Sequence, residues 1–499
     1  MNRDKSSGQP ASTSGIVRHP ISRFRVTLLA LLTLILATPA VVFSQNDALP
    51  DMGTASDNIL SPQEEEQLGR QVVEQLHRQG VIVQDPLIAA YITDIGRQLA
   101  AYSGTNQGPF FFFVTRDQSI NAFALPGGYV GVNAGLFLTS TNESELAGVL
   151  AHEIAHVTQR HIARRIEATR TANIATTAAV LAAILASSGD AQVTEAAISA
   201  GMAATTENAI RFTLQNEYEA DRIGIRTLEE AGYNPSGMAS FFKRLQQYNR
   251  LYESADSGFL RTHPVTSDRI SEAQNRAANY GSSFEESSDA YLITKARLRV
   301  LTTRELTPVI AHFDEERQTT TGAQWQAATY GQALALKARG NNAAALPLLI
   351  ALVEQAPTVP AYRLALAESQ LSSREITESL DTYEKSLKLF PINYPLTLSY
   401  ARALLDTGNA QKARDQLLQL PSDQPGHADR LRLLAQAAEA LGQQADSQYY
   451  LAEYYLLQGQ RSLAIEQLQI SLTRADINEI QKARAQSRLN TLIDKPAPP

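Results

Sequence analysis

The alternation of apolar and polar positions changes character several times along the chain. From Ser61 the apolar residues recur at helical spacing, and Glu64 three residues on completes a capping box; this helix should stop near Gly80. Asp85-Pro86 opens a second helix that should end at Gly104. The helical period is then lost. Residues 109–114 (PFFFFV) are continuously apolar and aromatic, which predicts a buried strand. Residues 128–133 (GYVGVN), after a Pro126-Gly127-Gly128 turn, predict another. Asn142 with Glu145 caps a long helix running through 145–165, and residues 216–221 fall on a further helix. Residues 172–206 are dominated by Ala, Thr, Ile, Leu and Val around a Ser187-Ser188-Gly189-Asp190 turn, the pattern of an apolar helical hairpin. It either packs on the core or touches a membrane or an unfolded client. Neither arm reaches the roughly 20 apolar residues that a membrane-spanning helix needs.

From about residue 325 the pattern becomes periodic on a longer scale. Ala333, Ala367, Ala401 and Ala435 are spaced by 34 residues, and so are Pro357, Pro391 and Pro425. Gly340, Gly408 and Gly442 keep the same period, with Arg374 in the vacant slot. A helix–turn–helix unit of this length is the tetratricopeptide signature: small Ala positions let paired helices approach, and Pro closes each unit. After Gly442 the phase is lost, since Gly459 follows at half a repeat, but helices are expected to continue to about 490.

Composition narrows the class. The 499 residues are 44% hydrophobic and 19% charged, an ordinary balance for a protein that buries cores, and the length suggests several domains. A net charge of −7 with no basic stripe argues against a nucleic-acid partner. Residues 1–44 read as a signal peptide: Arg18, Arg23 and Arg25 precede the apolar run Val26–Leu36, and cleavage after Ser44 fits best. The segment carries five Lys/Arg against one Asp, so its removal moves the net charge from −7 to −11. An uncleaved anchor is the alternative, although Pro39 interrupts it. The absence of cysteine excludes thiolate metal sites and cysteine catalysis, so any metal must rest on His and carboxylates.

The strongest chemical signal is His152-Glu153-Ile154-Ala155-His156. On a helix, positions i and i+4 share a face, so His152 and His156 can offer nitrogens to one metal ion while Glu153 reaches a water beside it. Zinc lowers the pKa of such a water towards about 7, and Glu153 can act as general base. The flanking Leu146, Val149, Leu150, Ile154 and Val157 make the helix a buried one, where unpaired His and Glu would be costly. A catalytic zinc needs a third protein ligand. His161 falls well around the helix from His156. In Asn216-Glu217-Tyr218-Glu219-Ala220-Asp221, Glu217 and Asp221 share a helical face and Glu219 points away. Glu217 is assigned to zinc; Asp221 either hydrogen-bonds a ligand imidazole or acts near the leaving group.

The HEIAH segment, followed by a distal Glu-X-X-Ala-Asp with an apolar hairpin between, resembles the M48 family of gluzincin metallopeptidases. The similarity extends to Leu49-Pro50-Asp51-Met52-Gly53, Asn121-Ala122-Phe123-Ala124, residues 152–161, residues 216–224 and Thr262-His263-Pro264, so it covers nearly the whole mature chain. It implies a mainly α fold: a gluzincin-type metalloprotease domain with a small β-sheet, followed by an α-solenoid of tetratricopeptide repeats. The expected divisions are 1–44 signal peptide, 45–285 peptidase domain containing the hairpin 172–206, 286–324 helical linker, 325–490 repeats and 491–499 tail. The resemblance further implies one zinc per subunit on His152, His156 and Glu217, Glu153 as base and Asp221 as proton donor. His263 matches a histidine that approaches the zinc in a closed, self-inhibited state. The implied location is the periplasm, with possible peripheral membrane contact. The implied role is degrading misassembled outer-membrane proteins and aiding their assembly, with the barrel assembly machinery and unfolded or stalled outer-membrane proteins as partners. A chaperone or adaptor that rarely cleaves is the competing function. The chain departs from the family pattern at Leu125-Pro126 and at Gly131 and Asn133, in the strand expected to pair with an extended substrate.

Overall fold

Helix α1 (Pro62–Arg78) starts where Ser61 accepts from the Glu64 amide while the Glu64 carboxylate accepts from the Ser61 amide, so both arms of the capping box are made. Its exit is the left-handed Gly80. Helix α2 (Pro86–Ala101) is capped by Asp85, whose side chain accepts from the Leu87 and Ile88 amides. The computed structural model describes residues 61–104, 108–164, 214–251, 258–281, 284, and 287–494 apart from 423. The signal segment and the hairpin expected at 172–206 lie outside the described residues, which all belong to one compact unit.

Three short strands follow: β1 (Phe111–Thr115), β2 (Ala122–Leu125) and β3 (Tyr129–Asn133). Their order is β1-β3-β2, with β3 parallel to β1 and antiparallel to β2. This corrects the expectation that residues 128–133 pair with substrate. β3 is central and both its edges are taken, whereas β2 has no strand on its outer side among the described residues. Gly131 has a packing reason: a Cβ there would lie 2.4 Å from the Phe123 ring and 2.9 Å from the Phe113 ring, which close edge-to-face over it. Asn133 accepts from Thr115 Oγ1 at 2.7 Å and donates to Ser119 Oγ at 2.9 Å, tying β1 and β3 to the loop after β1.

Helix α3 (Ala134–Thr139) leads to α4 (Glu143–Thr158), which carries the HEIAH segment. Asn142 caps α4 by accepting from the Glu145 amide, but the Glu145 carboxylate turns to the Thr141 amide and to Ser240 and Arg244 instead. The helix is shorter than the expected 145–165 because Arg160 takes a left-handed φ of 50°. After the undescribed segment come α5 (Leu214–Glu230), α6 (Ser236–Leu251), α7 (Gly258–Thr262) and α8 (Ser267–Ala277).

Helix α9 (Asp289–Thr302) serves two cores. Tyr291 and Leu298 pack with the N-terminal core around Phe137, Leu150 and Phe242; Ile293, Ala296 and Val300 pack with the first repeat helices. Its Arg297 grips Asp85 with Nε and Nη2 and donates from Nη1 to Tyr330. Beyond α10 (Leu306–Thr319) the array runs as α11 (Gly322–Ala338), α12 (Asn342–Gln355), α13 (Pro360–Ser372), α14 (Ile376–Leu389), α15 (Tyr394–Asp406), α16 (Ala410–Leu418), α17 (His427–Ala440), α18 (Gln444–Leu457), α19 (Arg461–Leu472) and α20 (Glu479–Asp494). The 34-residue slot is the left-handed residue that ends a helix: Gly340, Arg374, Gly408 and Gly442 have φ of 79°, 67°, 81° and 72°. Gly459 (φ 69°) repeats the same cap one helix later, which is the lost phase. The array returns to α1, for a Cβ on Gly459 would collide with the Glu74 carboxylate. No described helix is long and apolar enough to cross a membrane.

Candidate metal centre

The centre is built where α4 lies against α5. Gly224 on α5 permits the approach, since a Cβ there would sit 3.2 Å from His152 N and 2.7 Å from the Met238 methyl. α4 supplies His152, Glu153 and His156, and α5 supplies Glu217 and Asp221. The turn after α7 brings in His263 and α8 brings Arg269. All of these side chains are buried.

His152 Nε2 and His156 Nε2 are 3.0 Å apart, and His263 Nδ1 lies 3.3 Å from His152 Nε2. Glu217 Oε1 is 3.0 Å from His263 Nδ1 and 3.4 Å from His156 Nε2, and its Oε2 is 3.5 Å from His152 Nε2. One donor atom from each of the four residues falls within 4.8 Å of every other. Three imidazoles and one carboxylate converging in a dry pocket are the ligand chemistry of zinc, and the donor set fits a single ion. Burial opposes ionisation of Glu217, but the neighbouring histidines overcome it and hold its carboxyl well below the usual range. Burial likewise keeps His156 neutral, as a ligand must be. For His152 burial is outweighed by the hydrogen bonds to Asp221 and Glu217, which push it up to about 9; there a cation competes with a proton for the same lone pair.

Glu153 points to the same space, with His263 Nε2 3.4 Å from its Oε1. Burial pushes its carboxyl up further than the His263 and His152 rings and the Ala124 amide pull it down. Asp221 lies behind His152, its Oδ1 3.0 Å from Nδ1.

The residue that sequence reasoning missed is Arg269, fully buried. Its Nε and Nη2 meet the two oxygens of Asp221 at 2.7 Å, and its Nη1 meets Glu217 Oε2 and the Pro264 carbonyl, each at 2.7 Å. One guanidinium thus ties together Glu217, the carboxylate behind His152 and the loop that carries His263. His161 also differs from expectation. The left-handed turn at Arg160 swings its ring back against His156, with Nδ1 2.8 Å from His156 Nδ1. Glu219 does point away from the donor cluster, but towards His161 Nε2 at 3.1 Å.

The sequence model of peptidase family M48 matches residues 86–277, and a tetratricopeptide-repeat model matches residues 372–437. The chain is 33% identical to the beta-barrel assembly-enhancing protease of Escherichia coli over 466 residues, 93% of this chain and 95% of that one. It is also 33% identical to the putative beta-barrel assembly-enhancing protease of Vibrio cholerae, over 93% of this chain and 96% of the other. A mitochondrial metalloendopeptidase of Schizosaccharomyces pombe is 32% identical over 180 residues, 36% of this chain and 50% of its own.

Proposed function

The chain belongs to the beta-barrel assembly-enhancing protease family, M48 zinc metalloendopeptidases with tetratricopeptide repeats, and on that premise we propose that it degrades misassembled outer-membrane proteins in the periplasm and aids their assembly. The observation that carries this reading is the convergence of His152, His156 and Glu217 on one point beside the buried Glu153. These three residues would hold the zinc. When bound, zinc supplies Lewis-acid polarisation of a scissile carbonyl and makes a water acidic.

The protein's own groups do the rest. Glu153, whose carboxyl is pushed up by burial, takes a proton and returns it to the leaving amine. Asp221 holds His152 through Nδ1; both of its oxygens are engaged by Arg269, which favours this positioning role over proton donation. The outer edge of β2, whose Ala124 amide faces Glu153, offers an extended segment a strand to pair with. His263 lies inside the donor cluster and would be the fourth donor of a resting, self-inhibited state. The array binds the outer-membrane assembly machinery.

The test uses the full chain with an unfolded outer-membrane barrel protein and compares wild type, E153Q, E217A and H263A. E153Q should keep zinc and lose cleavage by roughly 10²–10⁴-fold, because Glu153 is a base and not a ligand. E217A should lose zinc, and H263A at equal zinc occupancy should cleave faster. Wild-type cleavage by E153Q would sink the mechanism. A slower H263A enzyme would move His263 from restraint to catalysis. Full cellular function of E153Q would favour the chaperone reading.

A further inference from the structure

A neutral imidazole that gives Nε2 to a metal must carry its proton on Nδ1, and that proton needs an acceptor. For His152 the acceptor is a carboxylate, Asp221 Oδ1 at 3.0 Å. For His156 it is another ring: His161 Nδ1 lies 2.8 Å from His156 Nδ1. With His156 donating, His161 Nδ1 must keep its lone pair. The His161 proton then sits on Nε2, 3.1 Å from Glu219 Oε2. The row has a single consistent direction, from His156 Nδ1–H to His161 Nδ1 and from His161 Nε2–H to Glu219. Reversing it would place a proton on His156 Nε2, inside the donor cluster.

We propose that His161 and Glu219 are positioning residues that lock His156 in the Nδ1–H form, with Nε2 open to zinc. This rests on the assignment of His152, His156 and Glu217 as the ligands. The backbone is bent to make the row. Arg160 accepts a left-handed φ of 50°, unfavourable for a residue with a Cβ, and its side chain is anchored by Nε to Glu65 at 2.8 Å. Continued as a helix, the chain would carry His161 off that face; with the break, its ring is fully buried edge-on to His156, centroids 4.9 Å apart. The two ligands are therefore supported unequally. Behind His152 stands a buried carboxylate, and behind His156 a neutral ring whose own acceptor, Glu219, is 36% exposed.

The decisive measurement is zinc affinity by chelator competition, paired with the visible spectrum of the cobalt-substituted protein, which reports ligand geometry without turnover. Proteins compared are wild type, H161F, H161N, E219A, the H161F/E219A double variant and H156A, with circular dichroism of the zinc-free forms checking the fold. H161F removes the acceptor at similar size and should weaken zinc binding by about 10–100-fold, with a shifted cobalt band. H161N, whose amide oxygen accepts at the Nδ1 position, should recover most of that loss. E219A should lose less, and nothing further when added to H161F, because both act through one row. Wild-type zinc affinity and cobalt spectrum in H161F would overturn the proposal, and so would an H161N as weak as H161F. If H161F does not fold, wild-type affinity and spectrum in E219A overturn it instead. H156A binding zinc as tightly as wild type would show that the ligand set itself is wrong.

Discussion

Around the metal centre the chain buries His152, Glu153, His156, His161, Glu217, Asp221, His263 and Arg269. Across the array the corresponding dry positions are Ala333, Ala367, Ala401 and Ala435, with Tyr330, Tyr362, Tyr383 and Tyr400 among them. Both regions exclude water, yet they are held by different physics. In the array, burial itself is favourable, and small residues at the crossings let helices close upon each other. At the centre, each charge taken from water is a cost that only a partner offsets, and the partners come from α4, α5, α8 and the turn before α8. The array is a sum of neighbour contacts. The centre is a closed set in which removing one member strands the others.

The largest expected effect breaks that set. R269Q strands Asp221 and Glu217 without their guanidinium and should destabilise the zinc-free protein by about 3–5 kcal/mol in urea unfolding. A401L overpacks a crossing in α15 and should cost about 1–3 kcal/mol. If R269Q proves the milder of the two, the contrast between the regions fails. A third prediction concerns the seam. Burial and the nearby Arg299 lower Lys295, on α9, from 10.5 to about 8. The unfolded chain then binds more protons than the folded one between those values, so stability should rise as pH goes from about 8 to 10.5, and below 8 the penalty is fully present. Allowing for its partial exposure, roughly 1–2 kcal/mol is at stake, and K295M should flatten the slope. The smallest effect lies in the array. Arg374 is exposed and occupies a left-handed position that glycine fills in the neighbouring repeats. R374G should raise array stability by roughly 0.5–1 kcal/mol in denaturant melts, the relieved strain being partly offset by a freer unfolded chain.

The same division governs what could be read from the sequence. The caps of α1 and α2, the HEIAH face and the 34-residue period are local, so spacing alone reveals them. Glu217 and Asp221 were legible because one helical face presents both. β2 was not: Ala122-Phe123-Ala124-Leu125 is four residues long, buried throughout and without alternation. Arg269 sits on a polar helix where an arginine is unremarkable, and its partner Asp221 is 48 residues away. A helix continued through Arg160 carries His161 off the site, and nothing in the residue type announces the positive φ that breaks it. The left-handed turn at Arg160, closed by its amide on the Val157 carbonyl, thereby decides where the ring points.

Helix α9 bears on the history of such a chain. Its Tyr291 belongs to one core and its Val300 to another, and Arg297 bonds to both Asp85 and Tyr330. A peptidase or an array taken from a relative would therefore meet a foreign surface at α9. A recombination junction placed before Asp289 or after Thr302 joins one foreign surface to α9, so a functional chimera has to inherit α9 together with its partners on both sides. Co-inheritance of Asp85, Arg297 and Tyr330 is the mark that such a constraint would leave.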